Sequence, residues 1–202
     1  MILTGIVKRK RQARYDVYAD GKYYATLSDE AIVSNRLKVG DEVEDRAFAE
    51  LVQEAEQQDA VHYVLSALST RAYTRKMAVD KLKGRGFSDV AIAFAIERMQ
   101  YYGYINDNEY CMDYIAECHG TRSNRRIKQD LRAKGISEAV VGKYLSENDE
   151  HEACFLSLTR RLRGKEITDE CKQKTIRYLM GQGYEYDVVR ECLEMYEQDL
   201  GD

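Results

Sequence analysis

A chain of 202 residues, 44% of them hydrophobic, can bury a real core in one domain or two small ones, and no apolar run approaches membrane-spanning length. The apolar start Met1-Ile2-Leu3 is cut short by Lys8, and five cysteines form no Cys-x-x-Cys pair, so free thiols in a reducing cytoplasm are expected and export is not. A net charge of −4 argues against nucleic acid only until its distribution is read: basic and acidic stretches are segregated along the chain, and local patches decide what binds.

In chain order, residues 1–44 differ in character from the rest. Ile2, Ile6 and Val7, then Tyr15, Val17 and Ala19, then Tyr23 to Leu27 read as short strands. Asp20-Gly21 between the last two is a hairpin signal. Ser28 is placed to cap a short helix, and Gly40-Asp41 reads as a further turn.

From Asp45 onward the periodicity becomes helical. Val61, Val64, Leu65 and Leu68 share one face of a helix ending near Ser69. Thr74 can cap a helix running to Arg85, and Ser88 one running to Tyr102. Asn106 with Glu109 resembles a capping box. Helices over 124–134, 137–145, 150–162, 168–182 and 186–200 complete the set.

A threefold echo organises these helices. Leu82 to Gly86-Phe87, Leu131 to Gly135-Ile136 and Leu179 to Gly183-Tyr184 repeat one pattern, their glycines 49 and 48 residues apart. Ile92, Val141 and Val189 recur at one later offset, Ile96, Leu145 and Leu193 at another. Each glycine fits the left-handed residue just past a helix end, where the next residue touches a leucine in the last turn. The expected fold is mainly α: an elongated array of three tandem three-helix repeats with a small strand-containing N-terminal element. The boundaries expected are 1–44 for that element and 45–103, 104–147 and 148–202 for the repeats.

The basic residues form three clusters. Lys8 to Arg14 carries five cations and no acid; it could contact a backbone, but a charged hairpin loop explains it better. Gly120 to Gly135 carries six cations and one acid. There, Arg125, Lys128 and Arg132 fall on one helical stripe opposite Ile127 and Leu131, with Arg122, Arg126 and Lys134 extending it. Asp130 is the one acid locally available to neutralise them. The stripe positions are Lys76, Val79 and Lys83 in the first repeat, where Arg75 is a further candidate, and Gln173, Ile176 and Met180 in the third. Arg160, Arg161, Arg163 and Lys165 form the third cluster. Such cations suit phosphate oxygens, because binding there releases counterions; a solvated helix face is the alternative. Tyr101, Tyr102 and Tyr104 can stack on bases or pack between helices.

Catalytic constellations are weak. Gly135 with Gly142-Lys143 has six intervening residues where a phosphate loop has four, and Tyr144 stands where that loop needs Ser or Thr. His151 with Cys154, and Cys118 with His119, have no usual metal-ligand spacing. The expectation is a protein that is not an enzyme and has no cofactor and no metal.

Three runs resemble the RecX regulatory proteins. The first is Ala72-Tyr73-Thr74-Arg75-Lys76 with Lys81-Leu82 to Gly86-Phe87. The second is Gly103-Tyr104-Ile105-Asn106-Asp107 followed by Tyr110 and Tyr114. The third is Arg126-Ile127 with Leu131-Arg132-Ala133-Lys134-Gly135-Ile136. The likeness covers about 60–198, more loosely in the third repeat, and rests on the order and spacing of the motifs together. It implies a small cytoplasmic modulator of the RecA recombinase, in DNA repair, homologous recombination and the SOS response. Such proteins lie in the groove of the RecA–DNA filament and suppress ATP hydrolysis and strand exchange, and several bind single- or double-stranded DNA. Two other readings stay open: a stand-alone DNA- or RNA-binding helical module, and a helical protein–protein adaptor. Three unequal repeats can fold without a partner, so a monomer is expected.

Overall fold

The computed structural model describes residues 1–10, 13–146 and 149–199. Arg11 of the first basic cluster, the expected boundary at 147/148 and residues 200–202 of the acidic tail lie outside the described residues. The chain forms two compact units. One comprises 1–73 with 77–105, the other 74–76 with 106 onward.

The first unit opens with three antiparallel strands in sequential order, β1 (Leu3–Lys8), β2 (Arg14–Ala19) and β3 (Lys22–Ser28). Asp20 and Gly21 both take positive φ, 49° and 77°, as a two-residue type I′ hairpin requires. Ser28 caps α1 (Asp29–Ser34) by accepting a hydrogen bond from the Ala31 amide. Leu3, Val17, Leu27 and Phe48 make the core beneath the sheet.

Next come α2 (Asp45–Leu68), α3 (Arg75–Arg85) and α4 (Asp89–Tyr101). The face that α2 buries is Ala60, Val61, Val64 and Ala67, so the expected face is corrected: Leu65 is exposed and Leu68 only half-buried. Alanines at 60 and 67 let α4 approach closely, and that closeness turns the buried stripe away from Leu65.

The second unit contains α5 (Asp107–Cys118), α6 (Asn124–Ala133) and α7 (Glu138–Leu145), then α8 (Glu150–Leu162), α9 (Asp169–Gly181) and α10 (Tyr186–Asp199). Asn106, Ser123, Ser137, Asp149 and Thr168 supply side-chain N-caps to α5, α6, α7, α8 and α9. The two helical trios have separate cores. One centres on Cys111, Ile127, Leu131 and Val141, the other on Cys154, Leu158, Leu179 and Val189. All five cysteines are free. Among the described residues no helix is long and apolar enough to cross a membrane.

The echo resolves into one turn used three times. Gly86, Gly135 and Gly183 have φ of 88°, 88° and 98°. Each following amide reaches back to the echo leucine: Phe87 to Leu82, Ile136 to Leu131, and Tyr184 to Leu179, at 3.4, 3.0 and 3.2 Å. Each glycine amide donates to the residue after that leucine, which completes the Schellman pattern. The three leucines are fully buried.

Two of these turns also accept a hydrogen bond from a distant residue of the second unit. The residue twelve before each turn glycine is Thr74, Ser123 or Cys171. Thr74, expected as a cap for α3, donates its hydroxyl to the Lys134 carbonyl at 2.6 Å, beside Gly135. Ser123 donates its amide to the Gln182 carbonyl at 3.2 Å, beside Gly183. The end of α6 thus sits on the start of α3, and the end of α9 on the start of α6.

Candidate nucleic-acid interface

The cations of the second trio are placed by α6. Ile127 and Leu131 are fully buried, which turns Arg125, Lys128 and Arg132 outward as the helical period requires. Their electrostatic setting differs from expectation. Lys128 reaches Glu138 at 2.8 Å, Arg132 pairs with the same carboxylate, and Arg125 lies 3.6 Å from Glu185. Asp130 instead takes Arg122 at 2.5 Å and Arg126 at 3.6 Å, with the Tyr114 hydroxyl donating to it at 3.1 Å. The expectation that Asp130 alone could neutralise this surface is therefore corrected. The other acids arrive on residues just beyond two turn glycines, at the start of α7 and immediately before α10.

Glu138 shows how firmly the stripe is held. Hydrogen bonds from Lys128 and Arg132 hold its carboxyl pKa at about 2, well below the usual carboxylate range. A lowered value means that the pairing is in place above an ordinary glutamate pKa of about 4.3 and is lost as pH falls toward 2. An NMR titration of the Glu138 carboxyl should find its midpoint near 2. In the Lys128→Ala/Arg132→Ala variant the midpoint should return toward about 4.3. An unchanged midpoint would show that the stripe does not hold this carboxylate.

The remaining candidates are distributed as follows. Lys134 places its ammonium 5.7 and 5.3 Å from the stacked Tyr110 and Tyr114 rings. Lys76 donates to the Ala133 carbonyl at 3.0 Å, while the amide of Arg75 donates to Asp107 at 2.7 Å. Arg75, Lys76, Arg122, Arg125, Arg126, Lys128, Arg132 and Lys134 all belong to the second unit, whereas Lys83 belongs to the first and faces Asp89 at 3.8 Å. Sequence reasoning missed a cation–aromatic cluster in the first unit, where Arg71 and Lys81 lie over Tyr73, and Lys81 and Arg85 over Tyr63. Its signal was available, since Lys81 and Arg85 are one helical turn apart.

The third cluster is different in kind. Arg160, Arg161, Arg163 and Lys165 line a cavity of about 320 Å³ with Gly120, Thr121, Ser157 and Tyr178. None of the four cations has a carboxylate partner among the described residues. Among the described residues Arg160 reaches the Gly120 carbonyl, at 3.5 Å. The Arg161 guanidinium lies 4.1 Å over the Tyr178 ring, and its buried Nε has no hydrogen-bond partner among the described residues. Arg161 and Lys165 also line a second cavity of about 260 Å³ along the start of α9. The acid there, Glu170, is taken by Lys174 at 2.6 Å.

Residues 148–193 match the family described as RecX, third three-helix domain. The chain is 29% identical over 196 residues to the regulatory protein RecX of Caldanaerobacter subterraneus, covering 96% of this chain and 100% of that one. It is 30% identical over 193 residues to the protein of the same name from Clostridium perfringens, covering 92% and 91%. A crystal structure of a regulatory protein RecX superposes with a TM-score of 0.60 at 25% identity, covering 96% of this chain and 98% of the other. With a fold of three-helix groups behind a small sheet and relatives matched over nearly their whole length, this chain belongs to the RecX family of regulatory proteins.

Proposed function

We propose that this protein is a non-enzymatic regulator of the RecA recombinase, acting in the cytoplasm as a monomer that binds the RecA–DNA filament and lowers its ATP hydrolysis and strand exchange. The observation that carries the reading is the near-complete match to relatives named as regulatory proteins, joined to the three motif runs of the sequence. The cation surfaces supply what a DNA-bound partner needs, since phosphate neutralisation drives association with a nucleic-acid backbone. Within this reading residues 1–44 are an accessory element, and 45–103, 104–147 and 148–202 are three repeats that engage the filament together. Several weak contacts on one chain then act as linked ones.

The test is ATP hydrolysis by the cognate RecA on single-stranded DNA, titrated with this protein. Hydrolysis should fall at substoichiometric amounts, with bare-DNA binding measured beside it. Unchanged hydrolysis together with tight, salt-sensitive binding to bare nucleic acid would replace this reading with a stand-alone nucleic-acid module. Unchanged hydrolysis without nucleic-acid binding would leave the protein–protein adaptor.

A further inference from the structure

The contacts made twelve residues before the turn glycines differ between the trios: Thr74 donates its hydroxyl to the Lys134 carbonyl, and Ser123 its amide to the Gln182 carbonyl. The matching position on α9 is Cys171, and among the described residues no turn sits there. Instead Cys171 lines the smaller of the two cavities, together with Arg161 and Lys165. The groove there is edged by Arg161, Lys165 and Lys174, and the carboxylate that lines it, Glu170, is already held by Lys174.

We propose that this open groove, together with the adjoining cavity, binds the phosphodiester backbone of nucleic acid, with Arg161 and Lys165 between two successive phosphate positions. Arg161 is pre-organised for it. Its guanidinium is held on Tyr178, and its unsatisfied Nε marks a charge buried ahead of a partner. Arg163 and Lys165 are exposed and add charge at the rim. Two cavities sharing two cations suit a chain of phosphates better than one isolated anion, and a single carboxylate would leave most of the charge uncompensated. The α6 stripe, by contrast, already pairs its cations with Glu138 and Glu185. The assignment rests on the reading of this chain as acting on DNA, and it moves the principal DNA-binding surface from the second trio to the third.

The test is binding of the full chain to a fluorescent single-stranded oligonucleotide over a salt series. Arg163→Glu/Lys165→Glu, which changes only exposed side chains, should weaken binding by about tenfold and reduce the log–log salt slope by about 0.7 for each phosphate no longer neutralised. Arg161→Gln should weaken it as well, with the fold checked by circular dichroism. Lys128→Ala/Arg132→Ala should weaken binding less than either groove variant, because Glu138 already offsets part of that charge. Weakened binding in the stripe variant with none in the groove variants would overturn the proposal, as would a parent protein that does not bind the oligonucleotide. Tight, groove-dependent binding of pyrophosphate with unaltered oligonucleotide binding would make this a site for free anions and overturn the backbone assignment. Groove-dependent self-association in sedimentation would show instead that a second copy fills it. RecA ATPase assays on the same variants separate the two readings. A groove variant with full effect on RecA defeats only this inference, whereas a parent without effect on RecA defeats the proposed function.

Discussion

Replacing Gly183 by alanine should cost about 3–5 kcal/mol of stability, far more than the same change at Gly86. Both glycines have left-handed φ, 98° and 88°, so both substitutions carry the backbone penalty of about 1–2 kcal/mol. The surroundings separate them. A Cβ on Gly86 would meet nothing within 4 Å, whereas one on Gly183 would lie 2.5 Å from the Ser123 Oγ and 3.2 Å from the Arg126 Cβ. That hydroxyl caps α6, accepting from the Arg126 amide at 3.2 Å, so a new methyl group attacks packing and cap together. Gly135 should behave like Gly183, because its Cβ would collide with the Lys76 Cβ, an atom that no rotamer can swing away. Urea denaturation of the three single variants checks the order. Equal destabilisation at all three positions would mean that the glycines serve φ alone and that the close approach of Ser123 and Lys76 adds nothing.

That comparison also marks how far the sequence could be read. A helix end that needs positive φ has a local signature, and the leucine–glycine–apolar spacing exposed all three turns. Why two of those glycines must be glycine twice over has no local signature. The atoms that exclude a Cβ belong to Ser123 and Lys76, about sixty residues away in both cases. The face of α2 was misjudged at Leu65 for a related reason. Alanines carry little hydrophobic weight in a periodicity, yet Ala60 and Ala67 are what α4 packs against.

The cations divide along the same line. That Arg125, Lys128 and Arg132 point outward followed from the 3.6-residue period and the burial of Ile127 and Leu131. That they are paired did not, because the acids that pair them, Glu138 and Glu185, lie beyond the turns and outside α6. Acids in the first turn of a helix are favoured by the helix dipole, and Glu138 is such a residue in α7. A turn that folds α7 back on α6 therefore delivers a carboxylate to the basic stripe by routine helix chemistry. After α8 the chain passes through Arg163, Gly164 and Lys165, and of the acids that open α9, Glu170 is taken by Lys174, so Arg160 and Arg161 keep their charge without a carboxylate partner among the described residues. Charge density in the sequence located both clusters; only the packing distinguished the paired one from the free one.

Truncating the echo leucines should give the second large effect. Leu82, Leu131 and Leu179 are each fully buried, and burial of this kind is worth about 2–5 kcal/mol against alanine, depending on how far the cavity collapses. The leucine does two jobs here. Its carbonyl accepts the amide that closes the turn, which alanine retains, and its side chain packs in the trio's core, which alanine loses. The destabilisation should therefore spread from the core rather than from the turn. In Leu179→Ala, amide exchange should quicken through α8 and α10, whose buried Leu158, Leu162 and Val189 share that core. In Leu131→Ala it should quicken in α5 and α7 through Ile115 and Val141, and in Leu82→Ala in α2 and α4 through Val64 and Ile96. Exchange that rises only at residues 179–184 of Leu179→Ala, with a stability change below about 1 kcal/mol, would mean that the leucine closes a turn and nothing more. Loosening confined to one trio per variant would instead assign each echo leucine to the core of its own repeat.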